Sequence, residues 1–234
     1  EVREQEAQDT AAAEEAESGV KTGKTGRAAR KENELKKELE EVKAALEEKM
    51  SKAASEGVPV DSITFSGNGE PTMNPDFPEI IDVTLELRDR YFPDAKVSVL
   101  SNATLIGRPA VAEALMKVDN PILKIDASSD SLIAQINKPV GRYRLDEVVE
   151  AMMKFEGLFV LQTMFLKSPD FDTAEPDALE KWMEIVRKVK PREIMVYTID
   201  RETPDKSLAK YTVEEMTAFV QPLIDEGFKI QIRG

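Results

Sequence analysis

From Asp61 to Phe77 the chain reads DSITFSGNGEPTMNPDF, and a short apolar run stops abruptly at Gly67-Asn68-Gly69-Glu70-Pro71-Thr72. Glycines let backbone carbonyls and amides approach a ligand with no Cβ in the way. Glu70 adds a carboxylate at the same spot, and Pro71 fixes the exit of the loop. Carbonyls plus one carboxylate make an acceptor-rich pocket, better suited to an ammonium group than to a phosphate. A plain turn between strand and helix uses the same residue types, so the loop alone leaves both readings open.

Other polar groups fall at comparable points. Ser101-Asn102-Ala103-Thr104 ends a second apolar run. Lys124 and Asp126 lie in a third, followed by Ser128-Ser129-Asp130. Gln162 and Thr163 sit in a fourth, and Tyr197, Thr198 and Asp200 close a fifth. Asn102 suits either a ligand carboxylate or a cap for its own loop. Asp126 suits ribose hydroxyls, a salt bridge to a neighbouring lysine, or a helix cap. Gln162 is central in an apolar run, and a buried amide must be hydrogen-bonded, so it faces a ligand or a polar network. Trp182 and the Met152-Met153 pair fall at helical spacing and are expected in the core.

The elements that must hold these groups alternate. Strands are predicted at Ser62–Ser66, Lys96–Leu100, Ile122–Ala127, Phe159–Leu166, Glu193–Ile199 and Lys229–Ile232. Helices are predicted over 78–91, 109–118, 145–156, 175–190 and 213–227, with Pro109, Pro176 and Pro191 at element ends and Gly227 after the last. Alternation of this kind means a parallel sheet with right-handed crossovers. No switch in strand order is evident, which favours a barrel or partial barrel over an open doubly wound sheet. Ligands of such folds bind at the carboxyl ends of the strands, so the polar groups gather at one rim while the strand middles are expected to stay apolar.

The chain of 234 residues is long enough for one large α/β domain with a tail. Apolar residues make up 41% and aromatic ones 6%. A net charge of -13 argues against a nucleic-acid partner, because phosphate binding needs a basic footprint. No apolar run reaches the length of a membrane span and no signal-peptide pattern opens the chain, so no membrane partner and a cytoplasmic location are expected. A small-molecule ligand is the most that is expected as a partner. Cysteine and histidine are both absent. That excludes disulfides, thiolate nucleophiles, cysteine-ligated iron and Ser-His-Asp machinery, and it leaves two origins open, removal by redesign and natural loss.

The beginning reads differently. Residues 1–31 contain only Val2 and Val20 as large apolar side chains and form a flexible or degenerate segment, leaving 32–234 for the barrel. Gly23-Lys24-Thr25 superficially suggests a phosphate loop, but Ser18 stands where that motif needs its first glycine. From Glu32 the pattern turns helical, with Leu35, Leu39, Val42, Leu46 and Met50 on one face.

Five segments together, SITFSGNGEPTMNPDFPEII, KVSVLSNATL, LKIDAS…INKP, LQTMFL and REIMVYTIDRETP, resemble the radical S-adenosylmethionine (radical SAM) superfamily over about four-fifths of the chain, from Glu47 onward. The resemblance implies a partial (β/α)6 TIM-like barrel. It implies that Gly67, Asn68, Gly69 and Glu70 receive the methionine amino group of SAM. Asn102, Asp126 and Gln162 would lie around the methionine carboxylate, the ribose or the substrate.

One departure is severe. Members of the superfamily hold a [4Fe-4S] cluster on three cysteines spaced C-x3-C-x2-C. In DTAAAEEAESG those positions are Asp9, Ala13 and Ala16, none of them a thiolate. No [4Fe-4S] cluster is therefore expected, no residue is assigned a catalytic role, and S-adenosylmethionine is expected as a weakly held ligand at most. Two alternatives stay open: a redesigned barrel scaffold with no ligand, and a carboxylate enzyme using Glu70 and Asp126 with a divalent metal.

Overall fold

The computed structural model describes residues 36–67, 69–200, 203 and 205–234. The chain divides into two units, Glu1–Ser55 and Glu56–Gly234. In the first, the described residues form helix α1 (36–55), which carries the ion pairs Lys37–Glu41 at 3.6 Å and Lys43–Glu40 at 3.0 Å. Asp9, Ala13 and Ala16 lie outside the described residues, as do the rest of the 1–31 segment, Glu32 and Leu35.

The second unit is a six-stranded, all-parallel sheet: β1 (Ser62–Phe65), β2 (Lys96–Ser101), β3 (Asn120–Lys124), β4 (Val160–Met164), β5 (Glu193–Tyr197) and β6 (Ile230–Arg233). Its spatial order is β1-β2-β3-β4-β5-β6, in step with the chain. Helices α2 (Phe77–Tyr91), α3 (Pro109–Lys117), α4 (Asp130–Asn137), α5 (Leu145–Met153), α6 (Pro176–Val189) and α7 (Val213–Asp225) fill the crossovers. Pro109 and Pro176 open α3 and α6, where a missing N–H costs nothing. Thr212 opens α7 with a capping box to Glu215.

Three expectations need correction. Helix α4 stands where only a polar strand end was anticipated; Ser129 caps it by accepting from Leu132 N at 3.3 Å, and Ile133 buries its apolar side. Strand β3 begins at Asn120 and ends at Lys124, earlier than the 122–127 run, although Ile125 N still donates to the Gln162 carbonyl at 3.0 Å. Met153 is 44% exposed, while its neighbour Met152 is fully buried, since adjacent helical residues point to different sides.

The strand middles also differ from the uniform apolar expectation. One face, with Val97, Val99, Leu123, Leu161, Ile194 and Val196, is buried against the helices. On the opposite face, the register lines up Lys124, Gln162, Met195 and Gln231 in one row and Met164, Tyr197 and Arg233 in the next. Parallel strands buried on both faces read as continuous apolar runs. These alternate because the second face is only partly packed, with Ser98 and Val160 buried on it beside the polar rows.

At the amino ends of the strands a single carboxylate joins several elements. Asp119 accepts from Arg88 Nη1 of α2 at 2.8 Å, Lys96 Nζ at 3.1 Å and Val97 N at 2.9 Å. Burial alone would raise its pKa, but the Val97 amide, Arg88 and Lys96 outweigh that and hold it at about 2, against an ordinary 3.8. A carboxylate with a depressed pKa stabilises the fold above its unfolded value and ceases to do so as pH falls through the folded one. Asp119→Asn is therefore expected to lower the melting temperature at pH 7. The gap to the parent should narrow between about pH 4 and pH 2, read from melting curves against pH.

Candidate functional site

Glu70 is the hub of the β1 loop. It caps the short 3-10 turn Pro71–Met73: Oε1 accepts from Thr72 N at 3.2 Å and Thr72 Oγ1 at 2.5 Å. The same oxygen accepts from Ser101 Oγ at 2.8 Å, and Oε2 accepts from Asn102 N at 2.7 Å. Three donors of its own chain thus crowd Oε1, while Oε2 takes one and keeps room for another. Gly67 and Gly69 flank it, and a Cβ added at either would meet no protein atom within 4 Å. Packing therefore does not demand glycine there, and their side is open to approach by a ligand. Asn68 lies outside the described residues.

The tip of β2 is tightly turned. Ala103 adopts a left-handed φ of 63°, held by its N–H donating to Ser101 Oγ at 3.0 Å. Asn102 Oδ1 accepts from Thr104 N at 3.0 Å and Thr104 Oγ1 at 2.7 Å, the capping role open to it. Its side-chain NH2 is not drawn into that turn and remains a donor.

Past β3, Asp126 is 1% exposed. Its Oδ1 accepts from Met164 N at 3.0 Å, which ties the tip of β3 to β4. Its Oδ2 is ion-paired with Lys124 Nζ at 2.8 Å, yet the contact lies off the hydrogen-bond axis, so this buried oxygen has no hydrogen-bond donor among the described residues. The ion pair is the dominant contact, because a charge at that distance acts whatever its direction. Burial pulls the Lys124 pKa down, but Asp126 and Tyr197 outweigh it and the net direction is upward. Tyr197 is itself raised, first by burial. Tyr143 is raised well beyond its ordinary value by burial and by the nearby charges of Asp126 and Asp130, so both phenols keep their protons at neutral pH.

Two cavities flank the Lys124–Tyr197 contact. The first, of about 280 Å³, is lined by Asn102, Lys124, Asp126, Asn137 and Tyr143, with Ile133 and Pro139 as apolar surface. The second, of about 350 Å³, is lined by Gln162, Met195, Tyr197, Asp200, Gln231 and Arg233. Of the candidate residues, Glu70 and Asn102 touch, Asn102 and Asp126 share the first cavity, and Gln162 faces the second. Sequence reasoning overlooked Tyr143 and Asn137. The available signal was a lone tyrosine in the polar loop between α4 and α5.

A family model described as the radical SAM superfamily matches residues 28–167, more than half of the chain. The protein belongs to the radical SAM superfamily. A UPF0026 protein of Synechocystis sp. is 29% identical over 149 residues, covering 62% of this chain and 52% of that protein. A UPF0026 protein of Methanocaldococcus jannaschii is 25% identical over 182 residues, covering 76% and 53%. The chain thus spans about half the length of these curated relatives. Streptococcus suis SuiB bound to S-adenosylmethionine superposes with a TM-score of 0.58 at 18% identity, over 80% of this chain and 42% of SuiB. A radical SAM methyltransferase from Sphaerobacter thermophilus gives 0.58 at 17%, over 78% and 53%. At such identities the likeness is one of fold, and it agrees with the partial (β/α)6 TIM-like barrel that the resemblance implied.

The cofactors of the superfamily fit this radical SAM chain unequally. With no cysteine and no histidine anywhere in its sequence, it offers no thiolate or imidazole to a [4Fe-4S] cluster. Among the described residues no three acidic side chains converge to hold a metal ion. Asp126 Oδ2 is fully buried against the Lys124 ammonium, 2.8 Å away, so the donors open to a ligand in the first cavity are Asn102, Asn137 and Tyr143. No described helix is long and apolar enough to cross a membrane.

Proposed function

We propose that this chain is a radical SAM barrel that binds S-adenosylmethionine as an intact ligand and does not cleave it reductively. The observation that carries this reading is a radical SAM fold on a sequence with no cysteine. Reductive cleavage needs an electron delivered to the sulfonium, and in this superfamily a [4Fe-4S] cluster supplies it when bound. The chain's own residues are left to bind and orient. Gly67 and Gly69 present carbonyls toward the amino group, in a loop that Glu70 clamps to the tip of β2. The Asn102 amide faces the methionine carboxylate, Asn137 and Tyr143 donate to the ribose hydroxyls, and Gln162 addresses a substrate in the second cavity. Loss of the chelating iron removes much of the affinity, so binding is weak.

The test is anaerobic reconstitution with iron and sulfide, followed by SAM and dithionite. No cluster absorption and no 5′-deoxyadenosine is the expected result; turnover to that product would overturn the proposal. A second reading, a ligand-free scaffold, draws on the use of both Glu70 oxygens to tie the β1 loop to the tip of β2. Calorimetry separates the two: heat on titrating SAM excludes the scaffold, and an unchanged trace with an unchanged melting temperature favours it.

A further inference from the structure

We infer that the second cavity takes a small zwitterion, with its carboxylate on Arg233 and its ammonium on Asp200. This rests on the proposed reading of that cavity as the substrate pocket and deepens it by naming the substrate class. The two side chains carry opposite charges and line the same cavity, yet they form no ion pair with each other or with any other described residue. Few arginines of this chain are left so. Arg88, Arg90, Arg142, Arg144 and Arg187 each hold a carboxylate at 2.6–2.9 Å, and Arg192 donates to Asn120 Oδ1 at 2.6 Å. Among the described residues that leaves Arg108, which precedes α3, and Arg233. Of the two, only Arg233 lines either strand-end cavity. With a net charge of -13 the chain has carboxylates to spare, so a guanidinium without one in a cavity points to a ligand that brings its own.

Strand register keeps the two charges apart. Arg233 stands opposite Tyr197 on β5, and Asp200 follows Tyr197 by three residues, past the strand end and up to about 10 Å farther on. A ligand carrying both signs bridges that gap. A purely anionic one would meet the charge of Asp200, and a purely cationic one the charge of Arg233. Lys124, another cation on this face, is already committed to Asp126, so Arg233 is the group a carboxylate finds. The floor suits an apolar body with one polar substituent. Met195 lies between Gln162 and Gln231 in the same row. Gln231 donates to Glu193, whereas the Gln162 amide has no partner among the described residues and lines the cavity. The thioether of Met195 makes favourable contact with an aromatic ring.

The experiment follows amide shifts of the isotope-labelled full chain on titration with three compounds. L-phenylalanine carries both charges, L-phenylalaninamide lacks the carboxylate and N-acetyl-L-phenylalanine lacks the ammonium. Phenylalanine is expected to shift the amides of Met195 and Gln231 and to bind about 5-fold more tightly than either analogue, the upper range for an exposed ion pair. Arg233→Gln should erase its advantage over phenylalaninamide alone, and Asp200→Asn its advantage over the N-acetyl compound alone. Arg108→Gln should change neither. All three side chains are exposed, so the variants keep the fold. Equal binding of the three compounds, shifts confined to other strands, or no shift at all would overturn the inference. SAM titrated in parallel, read at the Asn102 and Ala103 amides, separates the two readings. SAM shifts without a preference for phenylalanine overturn the inference alone; that preference without SAM shifts supports the inference and removes the SAM reading.

Discussion

Replacing Lys124 with methionine is expected to lower the unfolding free energy by about 3 kcal/mol, the low end for breaking a buried ion pair. Lys124 keeps 28% exposure while the Asp126 side chain has none, so the carboxylate is the partner that suffers. Without the ammonium 2.8 Å away, a buried anion would be left with only the Met164 amide. Lys124→Met combined with Asp126→Asn should recover most of the loss, because asparagine still accepts from Met164 N and carries no charge to neutralise. Urea denaturation of both singles and the double gives the coupling directly. A lysine with a raised pKa contributes fully below its ordinary value of 10.5, and the contribution fades as pH climbs through the folded one. The gap between Lys124→Met and the parent should therefore persist at neutral pH and close only in strong alkali. A gap unchanged from neutral to alkaline pH would mean that packing of the lysine stem, not its charge, is what counts.

Trp182→Ala is expected to cost about 3–5 kcal/mol, the range for removing a large aromatic side chain from a core. Trp182 is 1% exposed and lies edge-on to Phe165, ring centres 5.2 Å apart. Its indole N–H donates to Thr163 Oγ1 at 3.1 Å, and Thr163 Oγ1 donates onward to the Ile125 carbonyl at 2.7 Å. Helix α6 is thereby fastened to β4 and, through it, to the residue just before Asp126. Trp182→Phe should cost less, since it keeps one aromatic ring in the core while losing the N–H and part of the indole volume. Thermal melts rank the two; equal losses would mean that the retained phenyl ring contributes nothing. The alanine variant should also weaken ligand binding, because the tip of β3 loses its support from behind.

The large features were legible because they repeat. Six apolar runs separated by helical stretches fix the sheet, and the lack of any break in their succession anticipated an order in step with the chain. Helix starts were readable where proline marks them, as at Pro109 and Pro176. Helix α4 escaped notice because it has only eight residues, half of them polar, and its clearest sign, Ser129, sits among other polar residues past a strand end. The half-buried face escaped for a different reason. Lys124 and Gln162 were read one by one, whereas their meaning depends on lying side by side in register. The Lys124–Asp126 pair is two residues apart and was among the readings considered for Asp126; its orphaned oxygen depends on an angle that no sequence reveals. Glu70 is the instructive case. Its position at the mouth was readable, but Thr72, Ser101 and Asn102 compete for its oxygens, and only the fold brings the last two, some thirty residues away, within reach.

A sheet whose strands are laid down in the order of synthesis has a consequence for assembly. Every ladder joins consecutive strands, and even the widest-spaced partners, Ile122 and Val160, are separated by only the α4–α5 crossover. Each new strand finds its template already in place, so the barrel wall grows from one side as the polypeptide emerges, and no early strand must wait with both edges bare for a distant partner. Chains cut short after β4 or β5 should retain the ladders already built, as protected amides in hydrogen exchange.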